Sequence, residues 1–153
     1  RCNYFWEVFP TIDIRCNLAY HAVMERQRKF YREIQKDILK PILDKMWLRR
    51  GELSALAQRL EREEIVANAK HRLAELRSGK RELSFFFLYK MIKGGVMTVE
   101  QILRGRKLED LNPTEQEIVL RLSADPKTLK LIYEAKQQGM DVNSLLEISL
   151  KRS

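Results

Sequence analysis

At 153 residues the chain is long enough for one domain with a real core, or for two small helical units sharing an interface. No apolar run approaches the roughly eighteen residues needed to cross a bilayer, so no membrane insertion is expected, and two cysteines are too few for a disulfide scaffold. The net charge of +8 is unevenly placed, because the segment from Arg15 to Arg81 holds 17 Lys and Arg against 9 Asp and Glu while the flanks cancel. A positive half beside a neutral half suggests a polyanion partner, nucleic acid ahead of an anionic membrane surface or an acidic protein, although charged helical faces also serve simply to keep a protein in solution.

Residues 1–14 open with Tyr4, Phe5, Trp6 and Phe9 and end after Pro10, an unpatterned aromatic cluster expected to dock on the helical body or on a partner. The start at Arg1 rather than Met leads to the expectation of a chain processed or cut from something larger. From about Asp13 to Leu39 the pattern is that of a long basic amphipathic helix, with Phe30, Ile34 and Ile38 on one face. Pro41 predicts a kink or a fresh start, after which Ile42, Leu43, Met46 and Trp47 carry an apolar face to Gly51.

Glu52 to Arg77 is helical too, but its stripe does not run true. Leu53, Leu56 and Leu60 share one face; Val66, Ala69, Leu73 and Leu76 resume in a shifted phase beyond the charged patch Glu61-Arg62-Glu63-Glu64. Either one long helix rotates its buried face, or two helices meet near the patch. Gly79 is a left-handed helix stop. Ser84 is an N-cap for an apolar helix through Phe86, Phe87, Tyr89, Met91 and Ile92, ended by Gly94-Gly95, and Thr98 with Gln101 forms a capping box for a short helix from Val99 to Leu103, closed by Gly105.

Past Gly105 the chain is neutral and well punctuated. Asn112-Pro113 with Glu115 opens a helix through Leu122, and Asp125-Pro126 opens another, with Leu129, Leu131, Ile132 and Ala135 apolar, that ends at Gly139. Asp141 or Asn143 caps a last helix through Leu145, Leu146, Ile148 and Leu150. Tyr89 to Leu103 echoes Tyr133 to Leu146 at an offset of 44 residues that drops to 43 after the glycine, which reuse of a helix-glycine-capped-helix hairpin explains. No segment alternates with period two, so no sheet is expected.

The run from Leu73 to Lys107 resembles the second half of the Cro and lambda-repressor-like (XRE-type) helix-turn-helix DNA-binding family. Gly79-Lys80-Arg81, Leu83-Ser84, Gly95-Val96 and Thr98-Val99-Glu100-Gln101-Ile102-Leu103 stand where that family carries a glycine with basic residues, a Pro-Ser cap, a Gly-Val turn and a short capped helix. Leu83 replaces the usual proline, and Leu56-Ala57 matches the family's Leu-Ala doublet only with about six extra residues between it and the next helix. The resemblance implies a recognition helix ending before Gly79, with Lys70, His71, Arg72, Ala74 and Glu75 outward and Leu73 and Leu76 inward. Lys70 and Arg72 would then reach guanine edges or phosphates, while Lys80 and Arg81 in the turn would grip the backbone. Arg77 completes the candidate nucleic-acid-binding set of Lys70, His71, Arg72, Glu75, Arg77, Lys80 and Arg81.

No catalytic constellation is present. His21 and His71 have no acid or nucleophile motif nearby, there is no H-E-x-x-H, G-x-S-x-G or phosphate-binding Gly-rich loop, and Glu63-Glu64 reads as a solvated charge patch. Cys16 with His21 lacks the second pair a zinc site needs, so no metal or cofactor is expected, and free thiols in a reducing cytosol are the default for Cys2 and Cys16. The expectation is an all-α, multi-helix orthogonal bundle with a helix-turn-helix-like unit, divided as 1–51, 52–107 and 108–153 or forming one continuous domain. Its expected function is non-enzymatic binding of nucleic acid, DNA ahead of another polyanion, through a helix-turn-helix-like unit of transcriptional-regulator type, in the cytoplasm, with a protein partner or homo-oligomer also expected. The alternative is a helical structural or interaction module, a subunit or internal domain of a larger assembly. The basic helix and the aromatic N-terminus favour that second reading.

Overall fold

A computed structural model describes residues 13–140, with side chains described for 18–135 and 137–140. All regular structure among these residues is helical, as the absence of period-two alternation predicts. No helix among them is long and apolar enough to cross a membrane. The predicted last helix, the N-terminal aromatic cluster, Cys2 and the side chain of Cys16 lie outside the described residues.

Among the described residues the chain divides into two compact units, one being Arg28–Asp110 and the other formed from residues up to Gln27 together with those from Leu111 onward. The expected divisions at Gly51 and Lys107 differ from this. No unit boundary falls at Gly51, because the C-terminal half of the basic rod belongs with the helices that follow it.

That rod comprises α1 (Asp13–Ile34), a π-helical turn (Gln35–Leu39) and α2 (Lys40–Leu48). Pro41 neither stops nor restarts it. Proline lacks the N–H for the i→i−4 bond, and its ring crowds the carbonyl four residues back; the wider π-turn, in which the Lys40 N–H reaches the Gln35 carbonyl, makes room for that carbonyl. The inserted residue also re-phases the buried stripe, which runs Phe30, Ile34, Leu39, Leu43 with a step of five in the middle. Ile38, expected on that stripe, is therefore only half-buried. Of the apolar residues of α2 after Pro41 only Leu43 is fully buried, and Trp47 is 56% exposed.

In the Arg28–Asp110 unit, α2 packs against both α3 (Glu52–Arg62) and α4 (Ala69–Ser78), and these two pack on each other. Next come α5 (Phe85–Lys93) and the short α6 (Val99–Leu103). Ser84 caps α5 by accepting the Phe87 N–H at 3.3 Å, and α6 carries the predicted capping box, Gln101 N–H to Thr98 Oγ1 at 3.3 Å and Thr98 N–H to Gln101 Oε1 at 2.8 Å. α6 ends at Arg104, itself left-handed at φ 53°, one residue before the glycine expected to close it. Phe87, Leu88 and Met91 face the core, whereas Phe86 is exposed.

The Gly94-Gly95 pair splits into two jobs. Gly95 takes a left-handed φ of 68° and lets the Val96 N–H reach back to the Met91 carbonyl at 2.9 Å. Gly94 is there for space, since a Cβ on it would sit 2.6 Å from Leu60 Cδ2 and 3.2 Å from the Lys90 carbonyl oxygen.

The other unit contains α7 (Pro113–Ser123) and α8 (Pro126–Gln137). Asn112 Oδ1 accepts the Glu115 N–H at 2.9 Å and Asp125 Oδ1 the Thr128 N–H at 2.9 Å, so both predicted starts hold. Ile118, Val119 and Leu122 on α7 and Leu129, Ile132 and Ala135 on α8 are buried, while Leu131 is exposed. Arg121 lies with its guanidinium over the Tyr133 ring at 4.8 Å. The internal echo is local: Gly139, at φ 74°, lets the Met140 N–H reach the Ala135 carbonyl as Gly95 does for Val96.

Candidate nucleic-acid interface

The ambiguity at the charged patch resolves into two helices. At the end of α3 the Glu64 N–H bonds to the Glu61 carbonyl and the Ile65 N–H to the Leu60 carbonyl, with Glu64 left-handed at φ 56°. This is the bonding of a glycine-type helix stop made without glycine. Asn68, at φ 52°, is also left-handed and gives α4 no side-chain cap. The cap comes from further back: the Glu61 carboxylate accepts the Ala69 N–H at 2.8 Å, placing an anion on the partial positive charge at the start of α4.

α4 is short and closed at its far end by Gly79 at φ 77°. Ala69, Leu73 and Leu76 are buried, as the inward assignment of the two leucines predicts, while Lys70, His71 and Ala74 are exposed and Arg72 and Glu75 half-buried. The turn after it is clasped by Gln35 of the π-turn. Gln35 Nε2 donates to the Leu76 carbonyl at 2.9 Å and to the Arg81 carbonyl at 2.8 Å, and Gln35 Oε1 accepts the Leu83 N–H at 3.0 Å. One amide side chain thus fixes where α4 ends and where the approach to α5 begins.

The seven candidate side chains fall into two groups. Glu75 accepts Arg81 Nε at 2.8 Å and lies 3.2 Å from His71 Nε2, and its carboxyl is held below the ordinary carboxylate range by Arg81 first and His71 second. Arg77 turns back to the rod, its Nε 2.7 Å from Asp44 Oδ1 and its guanidinium 4.5 Å above the Trp47 ring. Asp44 also accepts Lys40 Nζ at 2.8 Å, and the two cations, Lys40 the stronger, hold its carboxyl down. Lys70, Arg72 and Lys80 have no ion-pair partner among the described residues, and they are the cations of the set that remain uncommitted.

The sequence reading missed Gln35, whose partners lie 41 to 48 residues away. It missed Glu61 as a cap because capping patterns look three residues ahead, and this one spans eight. Comparison with family models, with curated proteins and with solved structures returned no match.

Proposed function

We propose that the chain is a non-enzymatic DNA-binding protein that uses α3, α4 and the basic turn after α4 as a helix-turn-helix-like unit. The observation that carries this reading is that α4 is a separate short helix, broken from α3 by two left-handed residues and buttressed along its inner face, with Lys70 and Arg72 on it and Lys80 just beyond left without carboxylate partners among the described residues. Helices presented to a groove need that combination of a rigid back and cations able to exchange counterions for phosphates. Under this reading the protein is cytoplasmic, and His71, Glu75 and Arg81 shape the edge of the surface rather than supply free charge.

The test is a duplex-binding titration over a range of salt. Changing Arg72 and Lys80 together to Ala is expected to weaken binding and to lower the salt slope by up to about two. Unchanged affinity and slope would refute the reading.

A second reading, that of a helical assembly module, draws on α8 and the turn after it, where Leu131 is 63% and Met140 54% exposed around an apolar hollow. The duplex titration with a solution-mass measurement separates it, since an assembly module self-associates without binding duplex DNA, whereas a DNA-binding protein binds duplex whether or not it dimerises.

A further inference from the structure

Beyond the outer face of α4, the Arg28–Asp110 unit has a second concentration of positive charge, and it is concave. A groove of about 370 Å³ runs between the rod and the end of α4. Arg32, Lys36 and Lys40 come from the rod at steps of four, with Leu76, Arg77, Ser78 and Gly79 opposite and Glu82 beside them. In a plain α-helix a step of four overshoots a full turn by about 40°; the wider π-turn between Ile34 and Lys40 takes up that overshoot and keeps the three cations facing one groove. Gln35 ties the two walls together through the Leu76 and Arg81 carbonyls, so the groove is held open in one shape before any ligand arrives.

The charge within it is not balanced. Among the described residues, four cations line the groove against one carboxylate, Glu82, which lies 3.1 Å from Arg32 with both side chains more than half exposed. Such a pair is worth little and exchanges easily for a better anion. Lys40 and Arg77 share the single carboxylate of Asp44. Lys36 has no partner at all among the described residues. Forked guanidinium donors beside lysine point charges, around a space larger than one small anion needs, suit a ligand with several phosphate oxygens better than a lone carboxylate.

We propose that this groove binds a phosphate-bearing ligand, with Lys36 as its uncommitted cation and Arg32, Lys40 and Arg77 as its walls. The phosphates belong either to a nucleic-acid strand or to a free polyphosphate. The site does not depend on α4 reading DNA, and Lys36 is not among the residues on which that reading rests.

The experiment titrates the purified chain with inorganic tripolyphosphate and, separately, with duplex DNA, comparing Lys36→Glu with Lys45→Glu. Lys45 is an exposed lysine of α2 outside the groove, so the two variants change net charge equally. Far-UV circular dichroism checks that both fold, as expected for side chains without partners among the described residues. Lys36→Glu is expected to weaken at least one of the two ligands by about tenfold or more, a loss on the order of 1.4 kcal/mol, with Lys45→Glu within about twofold of the unaltered chain. Loss confined to tripolyphosphate identifies a free phosphorylated ligand, and loss that includes the duplex identifies a strand. Equal losses in the two variants, no loss in Lys36→Glu, or no binding of either ligand by the unaltered chain overturns the proposal. Failure of the DNA-binding reading would instead appear in the Arg72 and Lys80 double variant.

Discussion

Replacing Gln35 by alanine is the most informative single perturbation of the Arg28–Asp110 unit. It removes three hydrogen bonds to the backbone of the turn between α4 and α5, made at 2.8 to 3.0 Å. At about 0.5–1.5 kcal/mol per bond the gross loss is roughly 1.5–4.5 kcal/mol. The Arg81 carbonyl is exposed and returns to water, and the Leu76 carbonyl keeps a longer bond from the Gly79 N–H at 3.3 Å. The Leu83 N–H is part-buried and makes no other hydrogen bond among the described residues, so it bears the largest share of the damage. The net expectation is about 2 kcal/mol, or roughly 4–8 °C in Tm for a chain of this size. Urea denaturation followed by circular dichroism reads it as a lower midpoint with unchanged slope. Gln35→Glu keeps an acceptor for Leu83 but turns a carboxylate toward two carbonyls, so it should cost at least as much at neutral pH and recover part of the loss in acid. A loss below about 0.5 kcal/mol for Gln35→Ala, the range of an ordinary surface substitution, would refute the clasp.

Gly94→Ala must displace the fully buried Leu60 or the Lys90 carbonyl, so denaturation should show it less stable by about 1–3 kcal/mol. Glu64→Gly relieves a left-handed residue at the end of α3, and after the entropy cost of glycine it should gain about 0.5–1 kcal/mol by the same measurement; a loss would mean that the Glu64 side chain contributes more than its backbone costs. The lowered carboxyls of Asp44 and Glu75 give pH a sign: their contribution is complete above their ordinary values of 3.8 and 4.5 and is lost as pH falls through the lowered ones. Thermal melts in acid should therefore show a shallower fall for Asp44→Asn than for the unaltered chain, and parallel curves would count against the Lys40–Asp44–Arg77 arrangement.

Most helix ends were legible because their chemistry is local. Ser84, Thr98, Asn112 and Asp125 each accept an N–H three residues on, and Gly79, Gly95 and Gly139 each supply a left-handed turn. Where the same tasks fall to unusual residues, the pattern goes quiet. The break between α3 and α4 uses Glu64 and Asn68 where glycine is the common choice, so charge and periodicity alone left one helix or two equally open. The π-turn was hidden for a related reason. A one-residue insertion into the ladder leaves composition untouched and changes only the phase of the stripe, which moves burial from Ile38 to Leu39.

The candidate interface is where local reading reached least far, because its character is set by which charges are already spent. A helix face rich in cations looks the same in sequence whether those cations are free or paired. In the folded chain Asp44, 33 residues before Arg77, draws that arginine onto Trp47, and Glu75 ties down Arg81 and His71. These pairs brace the flank of α4 and the turn beyond it, and a cation already bonded to a carboxylate gains less from a duplex phosphate than an unpaired one. On the outer face of α4 the larger gain from duplex phosphates then belongs to the unpaired cations, which makes Lys70, Arg72 and Lys80 the discriminating ones. Arg77→Ala should act chiefly on stability, whereas Arg72→Ala should act on duplex affinity and its salt slope with little effect on the melt. If the two variants exchange these signatures, the division of labour drawn here between paired and unpaired cations is wrong.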